Sequence, residues 1–370
     1  MKPATLANWR TAPHNRWAFH HVRELIACVD IAHDPARVRA LAAQPADFTG
    51  LRIDPDSGEA MGMEAFLQET DTDAMAILHR GRLVLERYRN GMAAHDPHIL
   101  MSISKSMLGL LIAELKLDVE RRVTDFVPEM KTTAYKETTL RHLLDMRAGI
   151  RWDENYLVTN GPIIEYRKAT GWNPLAAGET PSDLHSFYQQ LRETGPHGGP
   201  VHYVSPNSDL LGWVVERATA QRYAQVMSDL VWSKLGAERA AYITVDRLGA
   251  PRCAGGMCAT LRDLVRVGQW LMEARPAFLA DLERGDRQAW ETGDLSGYFP
   301  GLPIRYRSHW YVLEGEAPLC YGWGIHGQFL FVDAKNSIVI AKYSSQAQPG
   351  DVARMQLTMR AASQLRKQLA

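Results

Sequence analysis

The chain is predicted to fold as an α+β protein in which both ends of the sequence build one sheet around a helical stretch. Three observations predict it. Met75-Ala76-Ile77-Leu78-His79 and Leu83-Val84-Leu85-Glu86-Arg87-Tyr88 are two apolar strands joined at the Arg80-Gly81-Arg82 turn, which makes a hairpin. Near the other end, Gln328-Phe329-Leu330-Phe331-Val332 and Ser337-Ile338-Val339-Ile340-Ala341-Lys342-Tyr343 are strand-like runs separated by an Asp333-Ala334-Lys335-Asn336 turn. Between residues 118 and 250 the signals are mostly helical. A hairpin and late strands that flank a helical insert can share a sheet only if the chain ends come together.

Taken in order, residues 1–50 read as an N-terminal extension packing on the main body. It carries one helical piece around residues 21–31 that ends near the Pro35 turn. After the hairpin, a linker with Gly91, His95 and Pro97 delivers the chain to Ser102, where an apolar helix begins. Its continuation, Met107-Leu108-Gly109-Leu110-Leu111-Ile112-Ala113, lacks a polar face, so that helix should be buried on most sides. Residues 139–146 and 182–193 read as short helices, and residues 208–220 as a longer one behind Pro206. The Gly255-Gly256 turn introduces a helix over residues 262–274. Near Tyr298, Gly301 and Pro303 with alternating aromatics mark loops and strands, and residues 277–309 are a candidate cleft wall. A last helix runs over residues 350–369. The domain bounds that follow are 1–50 for the extension, 51–117 with 251–370 for the sheet domain, and 118–250 for a mostly helical lobe.

Composition narrows the function classes. At 370 residues, 46% hydrophobic and 23% charged, the chain has material for one large or two medium domains with a real core. Lysine plus arginine equals aspartate plus glutamate at 42 each, and no long basic run offers a phosphate-tracking surface, so nucleic acid is excluded as a partner. No apolar stretch has the length of a membrane span, and the first residues lack a signal peptide's apolar core. A cytoplasmic protein with no membrane partner is expected. Cys28, Cys253, Cys258 and Cys320 are scattered, which offers neither structural zinc nor a disulfide framework. The His20-His21, His95/His98 and His197/His202 pairs lack zinc-protease spacing, so no metal and no cofactor are expected.

Chemistry concentrates in three places. Ser102-Ile103-Ser104-Lys105 puts a hydroxyl and an amine three residues apart at the start of a helix, on one face and within hydrogen-bonding reach. A serine needs a base to attack a carbonyl, and a lysine serves as one only where burial or a neighbouring cation strips its proton. The same residues would equally suit a helix cap with a solvated lysine one turn on. Tyr203-Val204-Ser205-Pro206-Asn207 lies just before the next long helix. Tyr203 could exchange a proton with the serine if an ammonium such as Lys105 stabilised its phenolate, or the run could simply be a turn in which Ser205 and Asn207 cap that helix. Cys320-Tyr321-Gly322-Trp323-Gly324-Ile325-His326-Gly327-Gln328 leads into a strand through glycines that allow close backbone approach. A strand N–H there, beside the N–H of the nucleophile, would form an oxyanion hole, and a strand bulge is the alternative.

Order and spacing of the three elements sharpen the case. The sequence resembles the serine beta-lactamase-like superfamily, whose members carry Ser-x-x-Lys, then Tyr-x-Asn or Tyr-x-Ser, then Lys-Thr-Gly or a substitute on a sheet strand. The likeness runs from about residue 74 to the C-terminus and includes Leu140-Arg141-His142-Leu143-Leu144-Asp145-Met146-Arg147-Ala148-Gly149-Ile150 and Ala254-Gly255-Gly256-Met257-Cys258-Ala259-Thr260. Within the superfamily it is most similar to the branch of the six-aminohexanoate-dimer (nylon oligomer) hydrolases, through Asn8-Trp9-Arg10-Thr11-Ala12-Pro13, Gly171-Trp172 with Tyr156 upstream, and Asn207-Ser208-Asp209-Leu210-Leu211-Gly212-Trp213.

The resemblance implies an antiparallel sheet with helices on both faces, a mostly helical second lobe, and an active site in the groove between them. It implies Ser102 as the acylated nucleophile, Lys105 and Tyr203 as the managers of its proton, and the N–H groups of Ser102 and Ile325 as the oxyanion hole. Tyr156 and Trp172 would border the substrate cleft, joined by Ser205, Asn207, Gly324 and His326. Two departures tell against strong beta-lactamase activity: Tyr-x-Ser stands for Tyr-x-Asn, and Gly322 occupies the place of the Lys-Thr-Gly lysine. Tyr166-Arg167-Lys168 is a basic cluster that either reads substrate charge or lies in a solvated loop. The reading is a serine hydrolase for small esters or amides, a carboxylesterase or an amidase of the 6-aminohexanoate-oligomer type, and a homodimer is compatible with it. The alternatives are a catalytically silent binding protein of the same fold, or a D-peptidase or weak beta-lactamase.

Overall fold

The two ends of the chain meet in one sheet, as the element order requires. The structure is a computed structural model and describes residues 3–55 and 58–370. In chain order its strands are β1 (Cys28–Ile31), β2 (Ala42–Ala43), β3 (Thr72–His79), β4 (Arg82–Tyr88), β5 (His98–Ile99), β6 (Ala241–Thr244), β7 (Met257–Ala259), β8 (Ile304–Arg307), β9 (Trp310–Leu313), β10 (Leu319–Gly324), β11 (Gln328–Asp333) and β12 (Ile338–Ser344). Five helices matter to the site and its support: α1 (Met63–Glu69), α2 (Ile103–Leu115), α3 (Ser205–Thr219), α4 (Leu261–Ala274) and α5 (Val352–Leu369).

The larger sheet has the order β2-β4-β3-β12-β11-β10-β9-β8 and is antiparallel throughout except for the short β2/β4 pair. Its centre is the pairing of β3 with β12, Ile77 opposite Ile340 and Ala76 opposite Ala341, so the first hairpin and the last strand are neighbours. Both strands are buried on both sides, which is why they read as nearly continuous apolar runs instead of alternating ones. Period-two geometry then sorts the side chains. Ala74, Ala76 and Leu78 join the core beneath α2 and α4, whereas Met75 and Ile77 join the core formed with Phe66 of α1 and Met359 of α5. Helices therefore cover both faces of the sheet. A second, smaller antiparallel sheet has the order β1-β6-β7-β5 and leads through β5 toward Ser102.

Four segments differ from the sequence reading. Residues 21–31 are not a helix: only Val22–Glu24 makes a 3-10 turn, and Cys28–Ile31 is β1, paired with β6 from Cys28 opposite Thr244 to Ile31 opposite Ala241. Pairing with a strand more than two hundred residues away decides that conformation, and no local period announces it. Over 182–193 the helix is short, Leu184–Phe187 followed by a 3-10 turn at Tyr188–Gln190, because Glu193 is drawn into a bridge with Ile150. The helix expected from residue 208 begins at Ser205 and takes Pro206 into its first turn, where a missing N–H costs no intrahelical bond. Residues 277–309 hold helices at Pro276–Leu282 and Arg287–Glu291 and a 3-10 turn at Ser296–Tyr298 before β8. No helix among the described residues is long and apolar enough to cross a membrane.

Candidate active site

Ser102 is delivered by a short, constrained path. Beyond β5 the Leu100 N–H donates to Met257 C=O at 2.8 Å, and Met101 adopts the left-handed region, φ +47°, before the helical turn begins. A non-glycine residue persists there only where its surroundings over-determine it, and Met101 is fully packed. Ser102 occupies the N-cap position of α2, yet its side chain makes no capping bond. Its hydroxyl is engaged instead by Lys105, one turn on, whose Nζ lies 3.1 Å from Ser102 Oγ, 3.2 Å from Ser205 Oγ and 2.7 Å from Ala254 C=O. Lys105 is 1% exposed, and burial lowers its pKa to about 7; Glu154 opposes that shift, Arg252 adds to it and Asp209 opposes it.

Tyr203 differs from the expected phenolate. Lys105 Nζ sits over its ring face, 4.7 Å from the centroid, and no hydrogen bond joins the two among the described residues. Burial raises the phenol pKa above its ordinary value, and the hydrogen bond with Ser102 only partly offsets this. A lysine over the ring polarises the π system but does not neutralise an oxygen anion, so Tyr203 rests as a phenol and Lys105 is the member of the pair that can accept a proton near neutral pH.

Two carboxylates that the sequence reading missed hold the arrangement. Glu154 accepts from the Ser205 N–H at 3.0 Å, Ser205 Oγ at 2.6 Å, Tyr156 OH at 2.9 Å and Trp152 Nε1 at 2.5 Å. Asp209 on α3 accepts from the Ala254 N–H at 2.7 Å, from Tyr166 OH at 2.5 Å and from Arg252 Nη1 at 2.5 Å, and thereby fixes the Ala254 carbonyl that receives Lys105. The Asp153-Glu154-Asn155-Tyr156 run was the available signal for Glu154, since a carboxylate two residues before a candidate cleft tyrosine can reach the same space.

The Gly322-Trp323-Gly324 element packs its glycines against α2. A Cβ at Gly322 would lie 2.9 Å from Ser106 Oγ, and one at Gly324 would lie 2.6 Å from Leu100 C=O and 3.0 Å from the Ser102 nitrogen. Both positions therefore need glycine for close approach, and Gly324 brings the end of β10 against the chain at Ser102. Two connected hollows open here. The first, about 420 Å³, is lined by Ser102, Tyr203, Tyr156, Ile325 and, from the segment 277–309, Asp294 and Tyr298. The second, about 280 Å³, shares Tyr156, Glu154 and Ile325 and continues to Trp172, His326 and three arginines, Arg10, Arg167 and Arg252.

Of the expected substrate-lining residues, Tyr156, Trp172 and His326 line these hollows, and burial keeps the His326 imidazole neutral with a pKa lowered to about 4. Ser205 does not line them; it belongs to the Lys105–Glu154 network. Asn207 is corrected outright: it is fully buried on the core side of α3, where its Oδ1 accepts from Tyr135 OH at 2.9 Å. The basic cluster 166–168 divides. Lys168 pairs with Glu165 and Glu179, Tyr166 is buried, and Arg167 faces the second hollow. Among the described residues, no three His, Cys, Asp or Glu side chains are grouped to hold a metal ion.

Comparison with known proteins identifies the family. The family model for beta-lactamases matches residues 63–364. A 6-aminohexanoate-dimer hydrolase from Paenarthrobacter ureafaciens is 35% identical over 360 residues, covering 93% of this chain and 89% of that protein. In structure, a Bacillus anthracis protein provisionally assigned as a 6-aminohexanoate-dimer hydrolase superposes with a TM-score of 0.88 at 24% identity, over 99% of each chain. A D-stereospecific amidohydrolase from Streptomyces shares the fold at a TM-score of 0.60 and 18% identity, over 80% of this chain and 97% of that one. The chain is a serine hydrolase of the beta-lactamase family and belongs to the branch that holds the 6-aminohexanoate-dimer hydrolases.

Proposed function

We propose that the protein hydrolyses ester or amide bonds of small substrates through an acyl-enzyme on Ser102. The observation that carries this reading is the buried Lys105 amine, 3.1 Å from Ser102 Oγ with its pKa lowered to about 7, a base poised at neutral pH beside an accessible hydroxyl. Ser102 Oγ attacks the substrate carbonyl while its proton passes to the Lys105 amine. The oxygen that becomes negative is received by the Ser102 and Ile325 amides, a pairing supported by the close approach of Gly324, the residue before Ile325, to the Ser102 nitrogen. Tyr203, a phenol that hydrogen-bonds Ser102 and lines the first hollow with it, then supplies a proton to the departing oxygen or nitrogen and is recharged from the Lys105 ammonium. Water enters, the same groups run in reverse, and the carboxylic acid leaves.

Esters are cleaved more readily than amides here because an alkoxide needs less protonation to depart, so carboxylesterase activity is the expected measurable property. The related hydrolase is named for a 6-aminohexanoate dimer, two amino acids that an amide can join, and such an amide is the harder bond that the same site would address. Tyr156 stands where its hydroxyl, now given to Glu154, could turn to a departing amide nitrogen. Intact-mass spectrometry after treatment with a fluorophosphonate tests the assignment, run beside hydrolysis of p-nitrophenyl acetate and butyrate. Wild type should gain one adduct and hydrolyse both esters, and Ser102→Ala should do neither. Labelling of the Ser102→Ala protein would refute the assignment.

A further inference from the structure

The second hollow gathers more positive charge than its neighbours neutralise: Arg10, Arg167 and Arg252 line it with Glu154, and Asp209 lies behind Arg252. Arg252 is answered by Asp209 at 2.5 Å, and Glu154, whose four donors are all neutral, keeps its charge and acts at longer range on Arg167. Arg10 and Arg167 are different. Arg10 donates to the neutral Asn173 Oδ1 at 2.5 Å and Arg167 to the Tyr156 C=O at 3.2 Å, and neither has a carboxylate within ion-pair distance among the described residues. Aromatic rings hold these cations in place. The guanidinium carbons of Arg10 and Arg252 lie 5.8 Å and 4.9 Å from the centre of the Trp172 ring, and that of Arg167 lies 5.9 Å from the Tyr156 ring. Burial, with repulsion from Arg167 and then Arg252, holds the Arg10 guanidinium well below the ordinary arginine value. Like charges fixed at close quarters in a partly dry pocket are relieved by an anion, and a planar carboxylate matches the guanidinium fork.

Position relative to Ser102 decides which part of the substrate bears that anion. Tyr203, which serves the leaving group, opens only onto the first hollow, and that hollow is lined by Asp153 and Asp294 with no lysine or arginine. Ile325, at the oxyanion, is shared by both. The leaving group therefore lies in the acidic hollow and the acyl chain runs into the basic one. We infer that the protein acts on monoesters or monoamides of dicarboxylic acids, with the free carboxylate of the acyl chain received by Arg10 and Arg167.

This inference deepens the acyl-enzyme reading and rests on it. The test compares three p-nitrophenyl esters of equal chain length on the purified full chain: the hydrogen adipate, the hexanoate and the 6-aminohexanoate. Wild type should show a kcat/KM at least about tenfold higher for the adipate than for the hexanoate, with the ammonium-tailed ester slowest. Arg167→Ala should bring the adipate-to-hexanoate ratio close to one, Arg10→Gln should lower it, and Arg167→Glu should reverse the order in favour of the 6-aminohexanoate. Adipate dianion should also inhibit wild-type hexanoate hydrolysis competitively, a readout that needs no variant to fold. Equal rates for all three esters in the wild type, or preference for the ammonium tail, would overturn the inference and leave the acyl-enzyme reading standing. No turnover of any ester together with no label on Ser102 would overturn both.

Discussion

At the scale of single residues, the proposed mechanism divides the proton work between Lys105 and Tyr203 by their surroundings. A lysine whose pKa is lowered to about 7 is an ammonium below that pH and an amine above it. Only the amine can take the proton of Ser102, so kcat/KM for a neutral ester should rise about tenfold per pH unit up to about pH 7 and then level off. Lys105→Arg keeps the charge but cannot release its proton in this range, and should lower kcat/KM by about 100-fold to 10,000-fold without restoring the profile at higher pH. A profile centred near 10, or an active arginine variant, would remove Lys105 from this role. Tyr203→Phe makes a different prediction. Because p-nitrophenolate departs unprotonated and an amine does not, the substitution should slow anilide hydrolysis about 100-fold while slowing p-nitrophenyl ester hydrolysis much less. Ser102 and Lys105 were legible in the sequence since a spacing of three fixes their proximity in any helix. Glu154 and Arg10 were not, because their partners lie 51 and 163 positions away and only the fold brings them near.

At the scale of elements, helix α2 and strand β10 form one unit, and the glycines at 322 and 324 set the distance between them. A side chain at Gly324 would have to displace Leu100 C=O, the Met101 Cβ and the Ser102 nitrogen, none of them the end of a flexible chain. Gly324→Val should therefore push the Ile325 amide away from Ser102. We expect ester kcat/KM to fall by at least about 100-fold, the scale of losing an oxyanion donor, with a stability loss of about 1–3 kcal/mol in urea unfolding. A variant as active as wild type would show that β10 does not position the oxyanion site. The hairpin at residues 74–88 and the strands at 328–343 were readable from β-rich runs broken at turns. Strand β1 was not, since Cys28-Val29-Asp30-Ile31 buries only its last residue fully and owes its conformation to the edge of β6. Legibility thus followed how much of an element's conformation its own residues decide.

At the scale of the whole molecule, the N-terminal segment spans both sides of the site and behaves as a strap. Trp9 Nε1 donates to Trp172 C=O at 3.1 Å and its ring meets the Trp172 ring edge-on, centroids 5.1 Å apart. Six residues on, Asn15 Nδ2 reaches Ser345 and Gln346 C=O, both at 3.1 Å, where the chain leaves β12. The Phe19 carbonyl then accepts from Ile99 in β5, just before Ser102. Each anchor is buried, so each single variant should be costly: about 3–5 kcal/mol for Trp9→Ala through the cavity it leaves, and about 1–3 kcal/mol for Asn15→Ala through two unsatisfied carbonyls. The two side chains act on one short segment rather than on each other. If that segment docks cooperatively, losing one anchor already loosens what the other holds, and the double variant should cost at least about 0.5 kcal/mol less than the sum of the singles. Urea unfolding of the four proteins measures this directly, with an unchanged m-value as the check that the unfolded state is the same. Strict additivity would mean that the segment is pinned at two independent points and that the Arg10 side of the second hollow is held without help from the sheet.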